Sequence, residues 1–460
     1  MTSEPLDSRS LEELRSAIAG EVIGPGDASY DESRAVFNAM IDRRPAVIAQ
    51  CTSTADVASA LAFARARGLE VAVRGGGHAV SGTAMVEGGL VVDLRRMNTV
   101  RVDPDARVAR AGGGATIGDL DRATQPHGLA TTGGRASTTG LGGFVLGGGS
   151  GWVERKFGLA CDNLLAAQVV TADGRTVRAG AQENPELFWA LHGGGGNFGV
   201  VTEFTLGLHP LPGFAIALLL YEAEAGRELA HRYRDFMAAA PDEVGGGLIY
   251  LTAPPEEFVP DHLVGQLATG LLLTYTDDLA TARPHFAPML ENGHAGGVIT
   301  DIPYADLQCM IDDPPGFRNY WSAEYLADFP DEAVDLYCDR ASDMVVPSGS
   351  QHAAVALGGA VSRVEDDYPV PWRRAAWAVH PFGMWEDPAD DARGRAWANA
   401  ACADLKPWSI GAVYLNFIGD EGSERTAAGL GEGNLARLAQ IKAEWDPDNV
   451  FHLNHNIRPA

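Results

Sequence analysis

The sequence predicts an α+β protein of more than one domain, on three observations. The chain has 460 residues, too many for one ordinary core, and 46% of them are hydrophobic. Short strand-like runs alternate with amphipathic stretches throughout, and Asp173-Gly174 between two such runs is a hairpin signal. His209-Pro210-Leu211-Pro212-Gly213 then breaks the pattern as a domain boundary would.

The elements follow in order. Thr54 is placed to cap a helix carrying Val57, Leu61 and Ala64 on one face, and Gly68 ends it. Glu70–Val73 is a short strand that feeds a glycine-rich loop, and Leu90–Leu94 is another strand. Ala115–His127 is a helix stopped by Gly128. Gln168–Ala172 and Arg175–Arg178 form the hairpin, and Asn184-Pro185 opens a helix through Leu191. Gly199–Leu208 alternates as a strand does. Beyond the boundary, Gln351–Ala356, Val361–Val364, Trp377–His380 and Gly411–Phe417 are strand candidates. Asn434–Glu444 is a helix with Leu435, Leu438 and Ile441 on one face, and Trp445-Asp446-Pro447 stops it.

Charge and cysteine content narrow the function. A formal net charge of −26 opposes binding to nucleic acid or to an anionic membrane. The five cysteines are odd in number and form no CxxC pair, so neither a disulfide framework nor a zinc ribbon is indicated. The first fifteen residues are polar and acidic, and Phe214–Tyr221 is too short to span a bilayer, so a cytoplasmic location is expected. His452 and His455 have no third ligand near them, and no metal is expected.

The chemistry concentrates in Arg74-Gly75-Gly76-Gly77-His78, continuing through Ala79 to Ser81-Gly82. Three glycines let successive N–H groups close on an anion. A histidine at such a turn is unusual unless it bonds to the bound group. A second glycine region, Gly133 to Gly149, offers many more backbone donors. The single GxGxxG, at Gly194, Gly196 and Gly199, leads into a strand instead of a helix, which excludes the usual nicotinamide-dinucleotide turn. His192-Gly193-Gly194-Gly195 lacks any GxSxG elbow to serve as an esterase.

These loops are followed by Lys156–Asn163, Glu186–Thr202, Tyr414-Leu415-Asn416-Phe417 and Ile441–Ile457. In that order they resemble the FAD-linked oxidases of the vanillyl-alcohol oxidase superfamily, closest to the berberine-bridge-enzyme-like branch that includes bacterial hydroxynicotine oxidases. The resemblance implies a two-part FAD-binding domain, residues 1–211 with 410–460, and a substrate domain, 212–409, in which helices cover an antiparallel sheet.

Carried over residue by residue, the resemblance makes His78 the covalent attachment to the flavin. Ala136 stands where some members have a second linking cysteine, so one bond is implied. Arg74, Gly75, Gly76, Gly77, Ala79, Ser81 and Gly82 would hold the pyrophosphate. Gly134, Ser137, Thr138, Thr139, Gly142, Gly143, Phe144 and Gly148 would form the second wall, with Thr139 at the oxygen-gating position and Phe144 where several relatives have histidine. Val200 and Val201 would meet the adenine end, and Asn416 and Asn454 the ring or pocket. Tyr414 matches a tyrosine that acts as base from a strand facing the flavin. Cys161 reads as a packed, inert thiol. Phe144, Tyr320, Trp321 and His352, with Arg318, are the substrate-pocket candidates.

The implied reaction is oxidation of a small hydroxyl- or amine-bearing aromatic, alkaloid or secondary metabolite. Hydride passes to FAD, and O2 is the acceptor and gives H2O2. The alternatives are an oxygenating or cyclising enzyme of polyketide-type metabolism and a drug-binding resistance protein.

Overall fold

The runs Val47–Gln50, Val71–Arg74 and Leu90–Asp93 are almost wholly apolar and pair in parallel, with Leu90–Asp93 in the centre. Glu21–Ile23 adds an antiparallel edge to this four-stranded sheet. The computed structural model describes residues 6–291, 293–312, 314–364 and 368–460. Helix Thr54–Arg67 makes the crossover between the parallel strands and buries Val57, Leu61 and Ala64. Its cap is Ser53, not Thr54: Ser53 has extended backbone, and its hydroxyl accepts from the Asp56 N–H. Thr54 is the first helical residue and donates to Gln168 instead.

A second sheet has five antiparallel strands in the order Val100–Asp103, Val108–Gly112, Val200–Gly207, Leu164–Val170 and Thr176–Gly180. The last two are the hairpin expected around Asp173-Gly174. The stretch expected as one helix over Ala115–His127 is an α-helix at Ile117–Thr124 and a 3-10 turn at Gln125–His127. Pro126, which has no N–H, sits in that turn.

An eight-stranded antiparallel sheet forms the third layer. Its order is Gly296–Asp301, Ala215–Glu222, Leu267–Tyr275, Val244–Thr252, Gln351–Ala356 and Trp377–Trp385, with Arg318–Trp321 and Glu324–Leu326 both on the last strand. One face is covered by helices Gly226–Ala239, Leu279–Leu290, Asp331–Ala341 and Asp391–Leu405. Strand alternation decides which residues meet those helices. Ala217 and Leu219, Leu248 and Tyr250, His352 and Ala354, and Trp377 and Val379 point into the helix-covered core. Their neighbours point the other way, towards the glycine-rich loops.

Two expected strands are not formed. Val361–Val364 lies in and after a 3-10 turn, Gly359–Arg363, because Gly358 and Gly359 both take positive φ. Gly411–Phe417 is irregular and ends in a 3-10 turn at Leu415–Phe417. Helix Glu432–Trp445 and the residues after it return to the core around the five-stranded sheet.

Lys442 fixes that return. Its ammonium is fully buried and donates to the Asn197 carbonyl at 2.6 Å, the Phe451 carbonyl at 2.9 Å and Asp446 at 2.6 Å. Asp446 in turn accepts from the Val450 and Phe451 N–H groups.

Candidate active site

A cavity of about 670 Å3 lies between the glycine loops and the open face of the eight-stranded sheet. This is well inside the range of roughly 300–1,000 Å3 for small-molecule sites. Gly75, Gly76 and Gly77 form part of one wall, and Gly140, Gly142 and Gly143 continue it. The two loops meet back to back. A Cβ on Gly140 would fall 2.1 Å from the Gly76 nitrogen, so only glycine permits the contact. Gly193–Gly196, Val200, Val201 and Asn454 close the far end. There Asn454 lies on the cavity wall, and its buried Oδ1 has no hydrogen-bond partner within the protein.

His78 stands on this wall. Its ring stacks on Phe37, with centroids 4.3 Å apart and planes at 18°, and Nε2 lies 2.9 Å from Thr138 Oγ1. Burial holds its pKa down at about 4, so the imidazole is neutral with a lone pair available at ordinary pH. Thr139, Gly134, Phe144, Ala79 and Ser81 also line the cavity.

Five residues expected at the cofactor stand behind the wall, one of them Thr138, whose Oγ1 meets His78 Nε2. Arg74 is buried and spends its guanidinium on the carbonyls of Ser33 and Ala35. Gly82 makes a left-handed turn against Ile41. Ser137 bonds Asp312 through both its N–H and its hydroxyl. Gly148 packs on Trp372 and Val370. Cys161 is completely buried, and burial pushes its thiol pKa up, as an inert thiol requires.

Tyr414 lines the cavity from the irregular stretch before the Leu415–Phe417 turn, not from a strand. Its Oη accepts from the Gly149 N–H at 3.1 Å and from Asn416 Nδ2 at 2.9 Å. Asn416 also donates to the Gly143 carbonyl. Burial raises the phenol pKa, against the pull of these two donors.

The facing wall is the open side of the eight-stranded sheet. Of the pocket candidates, Trp321 and Phe144 lie on the cavity, and Arg318, Tyr320 and His352 do not. Arg318 forms a bidentate pair with Asp391. Tyr320 donates to Asn399 on the helix side. His352 is fully buried between Tyr337 and Trp397. Its strand neighbours Gln351, Ala353 and Val355 reach the cavity instead. The error was one of phase, since a strand alternates faces and either set could have been the inner one.

Two residues not anticipated as site residues complete this wall, His380 and Phe382, and Phe417 stacks beside them. Alternation within Trp377–Phe382 was the available signal. It places Ala378, His380 and Phe382 together, opposite the core residues Trp377 and Val379.

Nested glycine loops facing an apolar sheet suit a large cofactor with a phosphate end and an apolar ring. The region 45–180 matches the profile of an FAD binding domain, and 413–458 matches one described as berberine and berberine like. The (R)-6-hydroxynicotine oxidase of Paenarthrobacter nicotinovorans is 31% identical, over 96% of this chain and 97% of its own. The solved structure of 6-hydroxy-D-nicotine oxidase from Arthrobacter nicotinovorans superposes with a TM-score of 0.85 at 28% identity, covering 96% of this chain and 98% of that one. The carbohydrate oxidase of Microdochium nivale gives 0.84 at 25% identity, over 98% and 100%. The chain belongs to the berberine-bridge-enzyme-like family of FAD-linked oxidoreductases. Among the described residues, no helix is long and apolar enough to cross a membrane, and no acidic, histidine or cysteine cluster could hold a metal.

Proposed function

We propose that this protein is an oxidase that takes two electrons from a small hydroxyl- or amine-bearing organic substrate and delivers them to O2, giving H2O2, with FAD joined covalently to His78 alone. FAD, when bound, supplies acceptance of a hydride from the substrate and its reoxidation by O2. The observation that carries the reading is one continuous cavity, with an anion-binding glycine wall on one side and an apolar, aromatic-lined wall on the other.

The residues fit these roles. Gly75, Gly76, Gly77, Gly140, Gly142 and Gly143 line the cavity with bare backbone, which lets a pyrophosphate approach without a side chain in the way. Neutral His78 has the free lone pair that bond formation to carbon needs. Ala136 on the cavity has no sulfur to make a second link. Tyr414 is the proton acceptor in this reading. The N–H groups of Gly149 and Asn416 stabilise charge on its oxygen when it is ionised. Burial raises the phenol pKa, so Tyr414 first gives its own proton to solvent, and the resulting phenolate oxygen then takes the proton of the substrate's hydroxyl or amine. Asn454 is assigned to the cofactor because it lines the cavity beside Gly193–Gly196.

The test has two parts. Acid-precipitated wild-type protein should stay yellow, and His78→Ala should release the colour. A panel of aromatic and alicyclic alcohols and amines should then bleach the flavin without air and give one H2O2 per product with air. A colourless wild-type pellet would remove the covalent link. Oxygen label retained in the product in place of free peroxide would remove the oxidase assignment.

A further inference from the structure

We infer that the substrate is an uncharged molecule with an apolar body and a hydroxyl donor, and that His380 Nε2 is the acceptor which receives that hydroxyl. The inference rests on the oxidase reading above and specifies what its cavity takes.

The tautomer of His380 is fixed by its partner. Nδ1 lies 2.8 Å from the Ser322 carbonyl oxygen, which can only accept, so Nδ1 carries the proton. Nε2 is therefore left with a lone pair. It makes no hydrogen bond within the protein, and His380 forms part of the cavity wall. Burial holds the ring neutral, with a pKa of about 4.

The ring is also clamped in place. It lies parallel to Phe417, with centroids 4.3 Å apart and planes at 5°. It stands edge-on to Trp321 and Phe382, at 87° and 84°. Phe417 in turn contacts Tyr414 with ring centroids 4.8 Å apart. The acceptor therefore sits on the same part of the wall as the tyrosine assigned to proton transfer. A clamped, single-tautomer acceptor loses little entropy on binding and rewards a donor at one position.

The surrounding wall defines the rest of the ligand. Leu218, Leu220, Ile249, Leu251, Leu272 and Val355 all face the cavity. Among the described residues its only lining carboxylate is Glu256, which is exposed. An ammonium bound among these side chains would lose its hydration with no buried counter-charge, whereas a neutral alcohol loses far less. A site that pairs a hydroxyl also rejects the analogue lacking it, because the buried acceptor is then left empty.

Binding can be measured on oxidised holoenzyme without turnover, from the change in flavin absorbance. The probes are naphthol, its methyl ether, and the trimethyl(naphthylmethyl)ammonium ion. Wild type should bind naphthol about tenfold more tightly than the ether, the scale of one lost hydrogen bond, and the cation most weakly. His380→Phe keeps the stack on Phe417 and removes the acceptor, so it should bring naphthol and ether within about twofold. Equal binding of naphthol and ether by wild type would overturn the inference. So would a preference that survives in His380→Phe, or tightest binding of the cation. If His380→Phe does not fold, the three-probe order in wild type still decides. Protein that carries no flavin would count against the oxidase reading instead, and tryptophan fluorescence would then report the same three affinities.

Discussion

Replacing Lys442 by methionine keeps most of the side-chain volume and deletes a fully buried ammonium. The change removes three hydrogen bonds, to Asn197, Phe451 and Asp446, and leaves the Asp446 carboxylate at 0% exposure without its counter-ion. Breaking one partner of a buried pair costs about 3–5 kcal/mol, because the remaining charge stays desolvated. Asp446 would keep only the N–H groups of Val450 and Phe451. The same segment leads into Leu453 and Asn454 on the cavity wall, so flavin release should come at lower urea than loss of the sheets. Urea unfolding followed by circular dichroism and flavin fluorescence would measure both. The double variant Lys442→Met, Asp446→Asn removes both charges and retains an acceptor for the backbone, and should recover about 1–3 kcal/mol as coupling. A Lys442→Met loss under about 1 kcal/mol, or a double variant no more stable than the single, would refute this account of the C-terminal clasp.

Tyr414→Phe should lower kcat by about 10²–10⁴-fold with little change in flavin content, as rapid-mixing reduction kinetics would show; an unchanged reduction rate would remove Tyr414 from proton transfer. Gly140→Ala should prevent assembly of the two glycine loops, since its Cβ would lie 2.1 Å from the Gly76 nitrogen; wild-type FAD content in the purified variant would contradict this. Acid should destabilise the fold through His352 and His380, whose folded pKa values, about 3 and about 4, lie below the unfolded value of about 6.5. The unfolded state binds protons first, so stability is lost as pH falls from 6.5 towards 4, at about 1.4 kcal/mol per pH unit for each histidine. Urea midpoints across that range should show it, and His352→Gln should remove one histidine's share of the slope. Tyr320→Phe should leave KM unaltered in steady-state kinetics, since its hydroxyl is engaged with Asn399; a large rise would place Tyr320 in the cavity after all.

The sequence by itself determined the family of this protein and the glycine loops that form one wall of its cavity. Glycines that cannot be replaced, and a histidine that no ordinary phosphate turn needs, are local signals, and they lie where Gly75–His78 and Gly140–Gly143 form the wall. The hairpin at Asp173-Gly174 and the helix from Pro185 were legible for the same reason, because turn and cap chemistry acts over a few residues. Tertiary structure decided the facing wall. Gln351–Ala356 was readable as a strand, but its phase was not, and that phase turns His352 into the core and leaves Gln351, Ala353 and Val355 at the cavity. Tyr320 and Trp321 divide in the same way. His380 entered the site only because Ser322, Phe417 and Trp321, distant in sequence, fix its tautomer and its ring. Which face of a strand is buried depends on what packs against it, and that partner is set by the whole chain.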